Sequence, residues 1–429
     1  MNILKFPIIK KFYTQYVNKI DFIERRITFL SQENIELRHK IKSLKKEKIK
    51  VVFVCWRPSV WGSLKTVYEA MKEDEAFDVK ILTTPNKKLL PKIGVNHEIY
   101  ETEGAEEFWT GEDVISGYNY KTGEWIDLRS LEPDYVCFQQ PYNECRPENE
   151  RSGIVSTYAK IFYVAYGYNT VKDLAIECWR RDFVDDTSLY FAQSQTELNW
   201  YTEYAKLSKR NYSKAYLTGF PRFDDLEKYK NVSCDVWKLN KTSSMKILWT
   251  PRWCTNENNC HFFAYKDNFV NLIKNNEEYD FIFRPHPQAF LNWEYIGALS
   301  KTQRENYLKE YETSNNMNID YSKDYLPIFY TSDVLITDYS SIIPEYLLTG
   351  KPIIYCKNDD SLYDPEGRIA QCFYYVRNWN ELQSTLEMIK RGEDSLKEIR
   401  REIIQSEFYL GAESSGFRIK EIIKSDFNK

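Results

Sequence analysis

Residues 332–355 constrain the fold of this chain more than any other stretch of its sequence. They predict a buried parallel strand at 334–336, a polar turn at 337–341, a helix that ends at Gly350 and a second buried strand at 353–355. Alternating strands and helices of this kind build a parallel sheet covered on both faces. The chain is therefore expected to contain an open α/β sheet.

The polar turn of this stretch is a candidate ligand site. A turn between a strand and a helix directs backbone N–H groups and hydroxyls to the carboxyl edge of the sheet, where the helix dipole favours an anion such as a nucleotide diphosphate. Asp338, Ser340 or Ser341 could equally be plain N-caps with no ligand. Glu345, further along the helix, could reach ribose hydroxyls or be an ordinary exposed helix residue.

Length and composition allow two globular domains. The chain has 429 residues, 42% of them hydrophobic and 16% aromatic, which is enough for two full cores. Its apolar runs are too short to span a bilayer and its start lacks a signal-peptide pattern, so a cytoplasmic protein is expected. The nine cysteines form no Cys-x-x-Cys pair, which predicts reduced thiols without a disulfide framework or a zinc site.

Charge is distributed unevenly along the chain. Residues 1–50 hold 13 Lys or Arg against 5 Asp or Glu, a balance of +8, whereas the whole chain carries −4. A basic start on an acidic body predicts an anionic surface as its partner. A membrane is favoured over nucleic acid, because the body lacks the basic patches that would follow a nucleic-acid backbone.

A heptad pattern covers the first 44 residues. Its core positions a and d are occupied, in turn, by Ile20, Ile27, Asn34 and Ile41 and by Ile23, Leu30, Leu37 and Leu44. Isoleucine at a with leucine at d favours a parallel two-stranded coiled coil, in which paired Asn34 side chains would fix the register. Ile23 at a d position leans toward trimers instead. Alternatively, a single amphipathic helix lies on the body and buries the same stripe.

The start of this segment has a third potential use. Lys5, Lys10, Lys11 and Lys19 are interleaved with apolar residues and could seat the first turns in the headgroup layer of an anionic membrane. Each basic residue near such a surface contributes about 1 kcal/mol, so a dimer would bind better than a monomer.

The rest of the chain predicts two doubly wound, Rossmann-like units. The expected divisions are a basic coiled-coil helix at 1–48, a first Rossmann-like domain at 49–227, a polar linker at 228–245, a second Rossmann-like domain at 246–400 and a helical tail at 401–429. Two such units leave a cleft between their carboxyl edges.

A second candidate site follows the predicted strand at 281–283. Arg284 and His286 come directly after this strand, and two prolines hold the turn rigid. Histidine can donate to a phosphate or move a proton near neutral pH, and arginine can grip phosphate oxygens in a bidentate fork. Taken alone, the turn could be only a rigid connection whose histidine caps a neighbouring carbonyl.

Other polar groups are less informative. Arg252 follows the strand at 246–250 and provides another arginine at this edge, whereas His261 is expected to be a solvated loop residue. The acidic pairs at 185–186 and 359–360 lack the strand-ending context of a metal clamp, so no metal site is predicted. The sequence contains no Gly-x-x-x-x-Gly-Lys-[Ser/Thr] or Gly-x-Gly-x-x-Gly motif, which argues against kinases, ATPases and dehydrogenases.

Three motifs together resemble the CDP-glycerol glycerophosphotransferase family of teichoic-acid primases and polymerases. They are FRPHP at 283–287, DVLITDYSS at 333–341 and GKPI at 350–353, with weaker landmarks GFPR at 219–222 and LWTPRW at 248–253. The resemblance covers about residues 185–375. It implies a glycosyltransferase-B-like pair of Rossmann domains, metal-independent transfer from a CDP-activated donor without a cofactor, and attachment to the inner face of the membrane. It also assigns an essential role to His286 and donor-phosphate contacts to the turn from Thr337 to Ser341.

The first domain departs from the family at one position. The family usually carries a His-Gly-Thr segment followed by a lysine, and that histidine is the proposed base. The matching stretch here has Tyr166 in place of the histidine and Lys172 as the lysine, both on the acceptor side. A tyrosine with an ordinary pKa of about 10 is a poor base at neutral pH. Either another group takes the proton or the reaction differs from that of the family.

These observations predict a transferase of cell-surface polymer biosynthesis, of the teichoic-acid or capsule type. A hydroxyl of a lipid-linked or polymer acceptor would attack the activated phosphorus of the nucleotide-activated donor. The groups expected to hold the diphosphate and the leaving nucleotide are Arg284, His286, Arg252, Thr337, Asp338, Ser340, Ser341 and Glu345. Sugar transfer from a nucleotide-sugar and a non-catalytic dimeric scaffold are the alternatives.

Overall fold

Two parallel β-sheets, each with an apolar core on both faces, form most of the protein. The computed structural model describes residues 7–429 except 93–94, 102–103, 173–180, 209–213, 240, 275 and 323. The described part confirms the predicted α/β class with parallel sheets.

The first sheet has seven parallel strands. Its region of the chain contains α1 (Pro7–Leu44), β1 (Ile49–Cys55), α2 (Lys65–Lys72), β2 (Phe77–Thr83), β3 (Asn86–Lys92), β4 (Val95–Glu101), α3 (Ala105–Phe108), β5 (Val114–Ser116), β6 (Tyr118–Asn119), β7 (Glu124–Trp125), β8 (Tyr135–Phe138), α4 (Ser152–Val155), β9 (Lys160–Tyr163), α5 (Arg181–Asp186), β10 (Leu189–Ala192), α6 (Gln195–Ser208) and β11 (Lys214–Leu217). The strand order is β11-β10-β9-β8-β1-β2-β5, and β3–β4 and β6–β7 form separate antiparallel pairs.

The second sheet has six parallel strands. Its region contains β12 (Met245–Thr250), α7 (Phe262–Ile273), β13 (Tyr279–Phe283), α8 (Ala289–Tyr295), α9 (Lys301–Thr313), β14 (Met317–Ile319), α10 (Leu326–Thr331), β15 (Val334–Thr337), α11 (Ile343–Leu347), β16 (Ile353–Cys356), β17 (Phe373–Val376), α12 (Trp379–Lys390), α13 (Lys397–Glu407) and α14 (Ser415–Phe427). The strand order is β14-β13-β12-β15-β16-β17. The strand–turn–helix–strand unit predicted from residues 332–355 therefore lies near the middle of this sheet.

The central strands are almost continuously apolar because both of their faces are covered. In β12, Ile247 and Trp249 belong to the core on one face, whereas Leu248 belongs to the core on the other. In β1, Val51 and Phe53 belong to the core on one face, and the residue that follows each of them belongs to the core on the other face. This two-sided burial is the physical reason that apolar runs rather than alternating patterns marked these strands in the sequence.

The last helix of the chain returns to the first sheet. Ile419, Ile423 and Phe427 of α14 are buried in the same core as the alternate residues of β1 and β2. Gly416 packs so closely on α2 that an added Cβ would lie 2.3 Å from the carbonyl carbon of Thr66. The predicted helical tail at 401–429 thus supplies one wall of the first unit.

Among the side chains that the structure describes in helix α1, those that are buried on the body lie in its second half, and a coiled coil between chains is not shown. The alternative in which the body buries the heptad stripe is wrong. Leu30, Leu37, Ile41 and Leu44 of the stripe are each about half exposed or more. Instead, Ile35 and His39, which lie off the stripe, are buried.

Two further properties concern the described residues as a whole. Within them, no helix is both long enough and apolar enough to cross a bilayer. Eight of the nine cysteines lie in this part of the chain, and all eight are free thiols.

Candidate functional site

The two candidate turns of the second sheet lie on either side of a third turn. Strand β12 pairs with β13 through Trp249–Phe283 and with β15 through Thr250–Thr337. Because all three strands are parallel, the turns that follow them meet at one carboxyl edge. Adjacent strands are about 4.8 Å apart, so this edge spans a length comparable to a diphosphate group.

His286 is held as a neutral hydrogen-bond donor at this edge. Its ring stacks on Trp253 with a centroid distance of 5.5 Å, and its Nδ1 lies 3.2 Å from the backbone nitrogen of Gln288. Since Nδ1 accepts that N–H, the ring proton lies on Nε2. Desolvation by the surrounding protein and the positive charge of Arg252 lower the pKa of His286 to about 4. The residue is nevertheless solvent-exposed, so Nε2–H can reach a ligand.

Arg252 is positioned by an internal ion pair. Its Nε and Nη2 donate to the two carboxylate oxygens of Glu257, each at 2.8 Å. The guanidinium carbon also lies 5.2 Å from the ring centroid of Tyr339, in the turn after β15. Arg252 thus adds positive charge to the edge while its bidentate contact is with Glu257.

Asp338 forms the structural centre of the edge. Its Oδ2 accepts the backbone N–H groups of Arg252 at 2.8 Å and His261 at 3.0 Å. Its Oδ1 lies 2.8 Å from Nδ1 of the His261 ring, whose Nε2 is 3.0 Å from Oδ1 of Asn358. Burial alone would lower the pKa of His261, but the hydrogen bond and charge of Asp338 raise it.

The expectation that His261 is solvated is therefore wrong. The residue directly precedes α7, and its side chain is buried against Asp338. These two residues are 77 positions apart, and a sequence contains no direct signal for such a contact. The apolar helix that starts at Phe262 was the one available indication that His261 would be drawn into the fold.

The other residues of the turn after β15 differ in accessibility. The Thr337 hydroxyl is buried and donates to the carbonyl of Thr250 at 2.9 Å, which ties β15 to β12. The Ser340 hydroxyl accepts the N–H of Ile342 at 3.5 Å, and Ser341 is exposed. The two serines thus provide aliphatic hydroxyls of this turn that a ligand can approach.

Arg284 and Glu345 are engaged in contacts away from this turn. Arg284 pairs with Asp320 and donates to the carbonyl of Ser322 at 3.0 Å. Glu345 is buried, not exposed, and burial raises its pKa. Its Oε1 lies 3.0 Å from Nε of Arg222.

Tyr325 completes the polar cluster around Glu345. Its hydroxyl donates to Oε2 of Glu345 at 2.7 Å and accepts from Nη2 of Arg222 at 2.7 Å. The Arg284 guanidinium carbon lies 4.9 Å from the centre of the Tyr325 ring. Arg284 and Glu345 therefore share an aromatic neighbour behind the edge.

The carboxyl edge of the first sheet presents a pair of phenols. Tyr166, in the loop after β9, has its hydroxyl 2.7 Å from that of Tyr142, in the loop after β8. The loop of Tyr166 is held by Gln193, whose Nε2 donates to the carbonyls of Ala165 at 2.9 Å and Gly167 at 3.2 Å. Tyr142 was not predicted as a site residue, although it also follows a buried strand that ends at this edge.

Lys172, the other residue predicted on the acceptor side, pairs with a residue of α6. Its Nζ donates to Oε2 of Glu203 at 2.8 Å, and the residue is half-buried. This contact ties Lys172 to α6.

A segment of the second unit connects the two edges. Asn358 receives the hydrogen bond of His261, and the N–H of Glu366 donates to the carbonyl of Thr170 at 2.7 Å. Gly367 packs directly on Thr196 of α6. The segment from 358 to 367 therefore couples the Asp338 cluster to the loops beside Tyr166. Within the described residues, no group of three or more His, Cys, Asp or Glu side chains is arranged to hold a metal ion.

A comparison with known proteins shows which family part of this chain matches. Residues 176–378 match the family described as CDP-Glycerol:Poly(glycerophosphate) glycerophosphotransferase, which confirms the resemblance seen in the motifs. The minor teichoic acid biosynthesis protein GgaB of Bacillus subtilis (strain 168) is 24% identical over 180 residues, 38% of this chain and 18% of that protein. The chain thus aligns with less than a fifth of the length of this relative.

Solved structures share the two-sheet fold at low sequence identity. A variant of the wall teichoic acid polymerase TagF has a TM-score of 0.57 at 14% identity, over 95% of this chain and 98% of that one. The S. aureus MnaA-UDP co-structure has a TM-score of 0.59 at 13% identity, over 89% and 97%. UDP-N-acetylglucosamine 2-epimerases from Neisseria meningitidis and Methanocaldococcus jannaschii also match, each with a TM-score of 0.55. One fold therefore serves both polymerases and epimerases, and the fold alone does not select the reaction.

Proposed function

Because residues 176–378 match the CDP-glycerol glycerophosphotransferase family, we propose that this protein moves a glycerol-phosphate or similar phosphopolyol group from a CDP-activated donor to a hydroxyl of a lipid-linked or polymer acceptor. The product would be a cell-surface polymer of the teichoic-acid or capsule type. The observation that carries the proposal is the edge on which His286 and the two accessible serines flank the turn after β12.

His286 is suited to stabilise charge on the leaving nucleotide. Its lowered pKa keeps the free side chain neutral at pH 7, its Nδ1 accepts the N–H of Gln288, and the residue is solvent-exposed. A bound diphosphate favours the N–H donor and would raise this pKa. Donation to a phosphate oxygen would strengthen as negative charge develops on CMP. Ser340 and Ser341 would bind the same phosphates from the other side of the edge.

In the proposed reaction, the acceptor oxygen forms a new bond to the phosphorus of the glycerol phosphate as the bond from that phosphorus to CMP breaks. The acceptor proton is released to solvent through the hydrogen-bonded hydroxyls of Tyr166 and Tyr142. A phenol in such a pair can accept one proton while donating another, so no free phenolate is needed. The reaction is proposed to need no metal, as the family resemblance implies.

The protein is also proposed to act at the inner face of the cell membrane. Support comes from the +8 balance of residues 1–50. Lys5 lies outside the described residues, and the side chains of Lys10 and Lys11 are not described, so the seating of these groups stays a prediction.

A donor panel tests the proposed function. CDP-glycerol, CDP-ribitol, CMP, and UDP- and GDP-sugars are added to the full-length protein, and thermal unfolding and transfer to a hydroxyl acceptor are measured with and without EDTA. A ligand at a hundredfold excess over its Kd stabilises the native state by about 2.7 kcal/mol, which is enough to rank donors. Selective stabilisation by a CDP-polyol, with EDTA-resistant transfer, is expected. Selectivity for a UDP- or GDP-sugar would instead indicate sugar transfer, and silence across the panel a non-catalytic scaffold.

Two sets of variants locate the donor and acceptor sides. His286→Asn and Ser341→Ala should weaken CDP-polyol binding, whereas Gln288→Ala, an exposed neighbour of His286, should not. Tyr166→Phe and Tyr142→Phe should lower kcat about 100-fold and leave donor binding unchanged. Tyr295→Phe is the matched control, because Tyr295 is 87% exposed on α8. Full activity of Tyr166→Phe would remove the phenol pair from the mechanism.

A further inference from the structure

Helix α1 contacts the body through one face of its second half. Ile35 is fully buried there, and Gln32 and His39 are nearly so. Gln32 Nε2 donates to the carbonyl of Ser156 at 3.1 Å. The His39 ring contacts the Phe427 ring of α14 at a centroid distance of 4.8 Å. In the heptad frame Ile35 occupies a b position, and Gln32 and His39 occupy f positions, on the side of the helix opposite the a/d stripe.

Polar contacts fix the same half of the helix on the body. Lys42 Nζ pairs with Oδ1 of Asp134 at 2.6 Å, and the Ser43 hydroxyl donates to Oδ1 of Asn428 at 2.7 Å. Arg38 donates to the carbonyl of Tyr158. The orientation of α1 about its own axis is therefore set by the body.

This orientation leaves the heptad stripe facing solvent. The exposed apolar side chains are Ile23 (46%), Ile27 (54%), Leu30 (49%), Leu37 (61%), Ile41 (52%) and Leu44 (86%). Asn34, at the a position between them, is exposed as well. An apolar stripe of six residues over about six helical turns, interrupted by Asn34, is larger than scattered surface apolar residues and marks an interaction surface.

We propose that this stripe is the interface of a parallel homodimer, with a second copy of α1 as the occupant. Three of the four a positions are isoleucine and three of the four d positions are leucine, the combination that favours two parallel strands. Exposed Asn34 would pair with its partner and fix one register, since any shift would bury it against isoleucine or leucine. This inference does not depend on the proposed function.

Charge at the flanking positions supports the parallel arrangement. In a parallel dimer each g residue faces the e residue five positions further along the partner helix. Lys19 would then face Glu24, and Glu33 would face Arg38, two attractive pairs. Lys40 would face Lys45, a repulsive pair at the end of the stripe next to the body.

In the dimer, one face of α1 can contact the body while the opposite face contacts the partner helix. The b and f positions lie opposite a and d. The two bodies therefore project to opposite sides of the coiled coil, and neither covers the a/d interface. The carboxyl edges of both copies stay accessible, and both basic starts point in one direction. Two basic segments on one assembly bind an anionic surface more tightly than one.

The first experiment is light scattering on the full-length protein. The wild type is expected to have the mass of a dimer, and the double variant Leu30→Glu/Leu37→Glu the mass of a monomer with an unchanged unfolding temperature of the body. Phe29→Glu is the control, because Phe29 is 50% exposed but occupies the c position beside the stripe. This control should remain dimeric. A wild-type monomer, or a double variant that stays dimeric, would overturn the proposal.

Cross-linking separates parallel from antiparallel pairing. In a parallel dimer, Leu44→Cys places two thiols at facing d positions and should cross-link on mild oxidation, with the wild type and its native cysteines as the control. In an antiparallel dimer centred on Asn34 the same thiols would be about 30 Å apart, from a rise of 1.5 Å per residue. No cross-link from a dimeric variant would overturn the parallel arrangement.

Vesicle binding distinguishes the membrane as a competing occupant of the stripe. The probe is a vesicle of equal parts phosphatidylglycerol and phosphatidylcholine. If the wild type is monomeric in solution and Leu30→Glu/Leu37→Glu abolishes its binding to these vesicles, the stripe is a membrane contact and the dimer proposal is wrong.

Discussion

Asp338 accepts three hydrogen bonds although no part of it reaches solvent. Two come from backbone N–H groups of the segment after β12, and the third comes from the His261 ring, whose pKa is raised. The carboxylate therefore fixes the conformation of the loop that contains Arg252. Its contribution to ligand binding is through the shape of this loop, because its oxygens are already engaged.

Asp338→Asn is expected to lower the free energy of unfolding by about 3 kcal/mol, because it leaves a buried partner without its counter-charge. Urea unfolding followed by tryptophan fluorescence measures the change. Asp359→Asn is the control, since Asp359 is 80% exposed in its pair with Arg377, and a change below about 0.5 kcal/mol is expected there. Equal effects of the two substitutions would contradict the structural role of Asp338.

The same pair has a pH signature. A histidine whose folded pKa is raised stabilises the fold fully below its unfolded pKa of about 6.5, and this stability is lost as pH rises through the folded pKa. The loss of folding stability above pH 6.5 should therefore be smaller in Asp338→Asn than in the wild type.

At the scale of elements, the contact between α14 and α2 depends on a glycine. A Cβ at position 416 would lie 2.3 Å from the carbonyl carbon of Thr66, which is backbone and cannot rotate away. Gly416→Ala is expected to cost about 1 to 3 kcal/mol and to lower the unfolding temperature by several degrees. Differential scanning fluorimetry measures the shift.

Gly153→Ala is the matched control for this substitution. Its Cβ would have its nearest contact, Oδ2 of Asp186, at an ordinary 3.5 Å, and its backbone is helical. The control should be neutral or slightly stabilising, since alanine reduces the entropy of the unfolded chain. A neutral Gly416→Ala would mean that α14 can shift without loss.

The junction of α1 and α14 is sensitive to acid through His39. Burial first, and then the charge of Lys160, lower the pKa of His39 to about 3. Between this value and the unfolded value of about 6.5, only the unfolded state binds the proton, so each pH unit of acidification costs about 1.4 kcal/mol. His39→Phe keeps a ring at this place and removes the titration.

Urea unfolding at pH 5.5 and 7.5 should therefore show a loss of stability on acidification that is about 1 kcal/mol larger in the wild type than in His39→Phe. His286 also has a lowered pKa, but it contributes equally to both proteins and cancels in the difference. Parallel pH profiles of the two proteins would show that the pKa of His39 is not lowered in the folded state.

At the scale of the whole molecule, Arg222 and Glu345 join the end of the first unit to the second. Arg222 follows the first sheet, and its guanidinium also lies 3.3 Å from the place of a Cβ on Gly62. Arg222→Met would leave Glu345 buried without its cation, at a cost of about 3 kcal/mol. Adding Glu345→Gln should recover most of this loss in urea unfolding. No recovery would mean that Arg222 acts through its packing alone.

The sequence allowed the sheets to be predicted better than the contacts between distant segments. Continuous apolar runs predicted β12, β13, β15 and β16, because strands buried on both faces carry their signal locally. The polar residues that directly follow these strands are also a local signal, and they allowed the candidate edge to be predicted. No prediction was made for β5, an edge strand of three residues, because so short a strand has only a weak pattern.

The site was predictable only where its residues follow a strand directly. His286 and the two serines are such residues, whereas the partners that occupy Arg252, Arg284 and Glu345 come from other parts of the chain. The contact between His261 and Asp338 likewise joins two distant parts of the chain. Tertiary pairing, which no local pattern encodes, decides which charged groups stay free for a ligand.

The return of α14 has a consequence for how this protein can be divided into fragments. The first unit is discontinuous in sequence, since its core takes Ile419, Ile423 and Phe427 from the far end of the chain. A gene cut in the linker would yield a first half with an uncovered apolar face, prone to aggregate. Supplying residues 415–427 as a separate peptide would restore the missing wall, so the two ends of the polypeptide form a natural pair for fragment complementation.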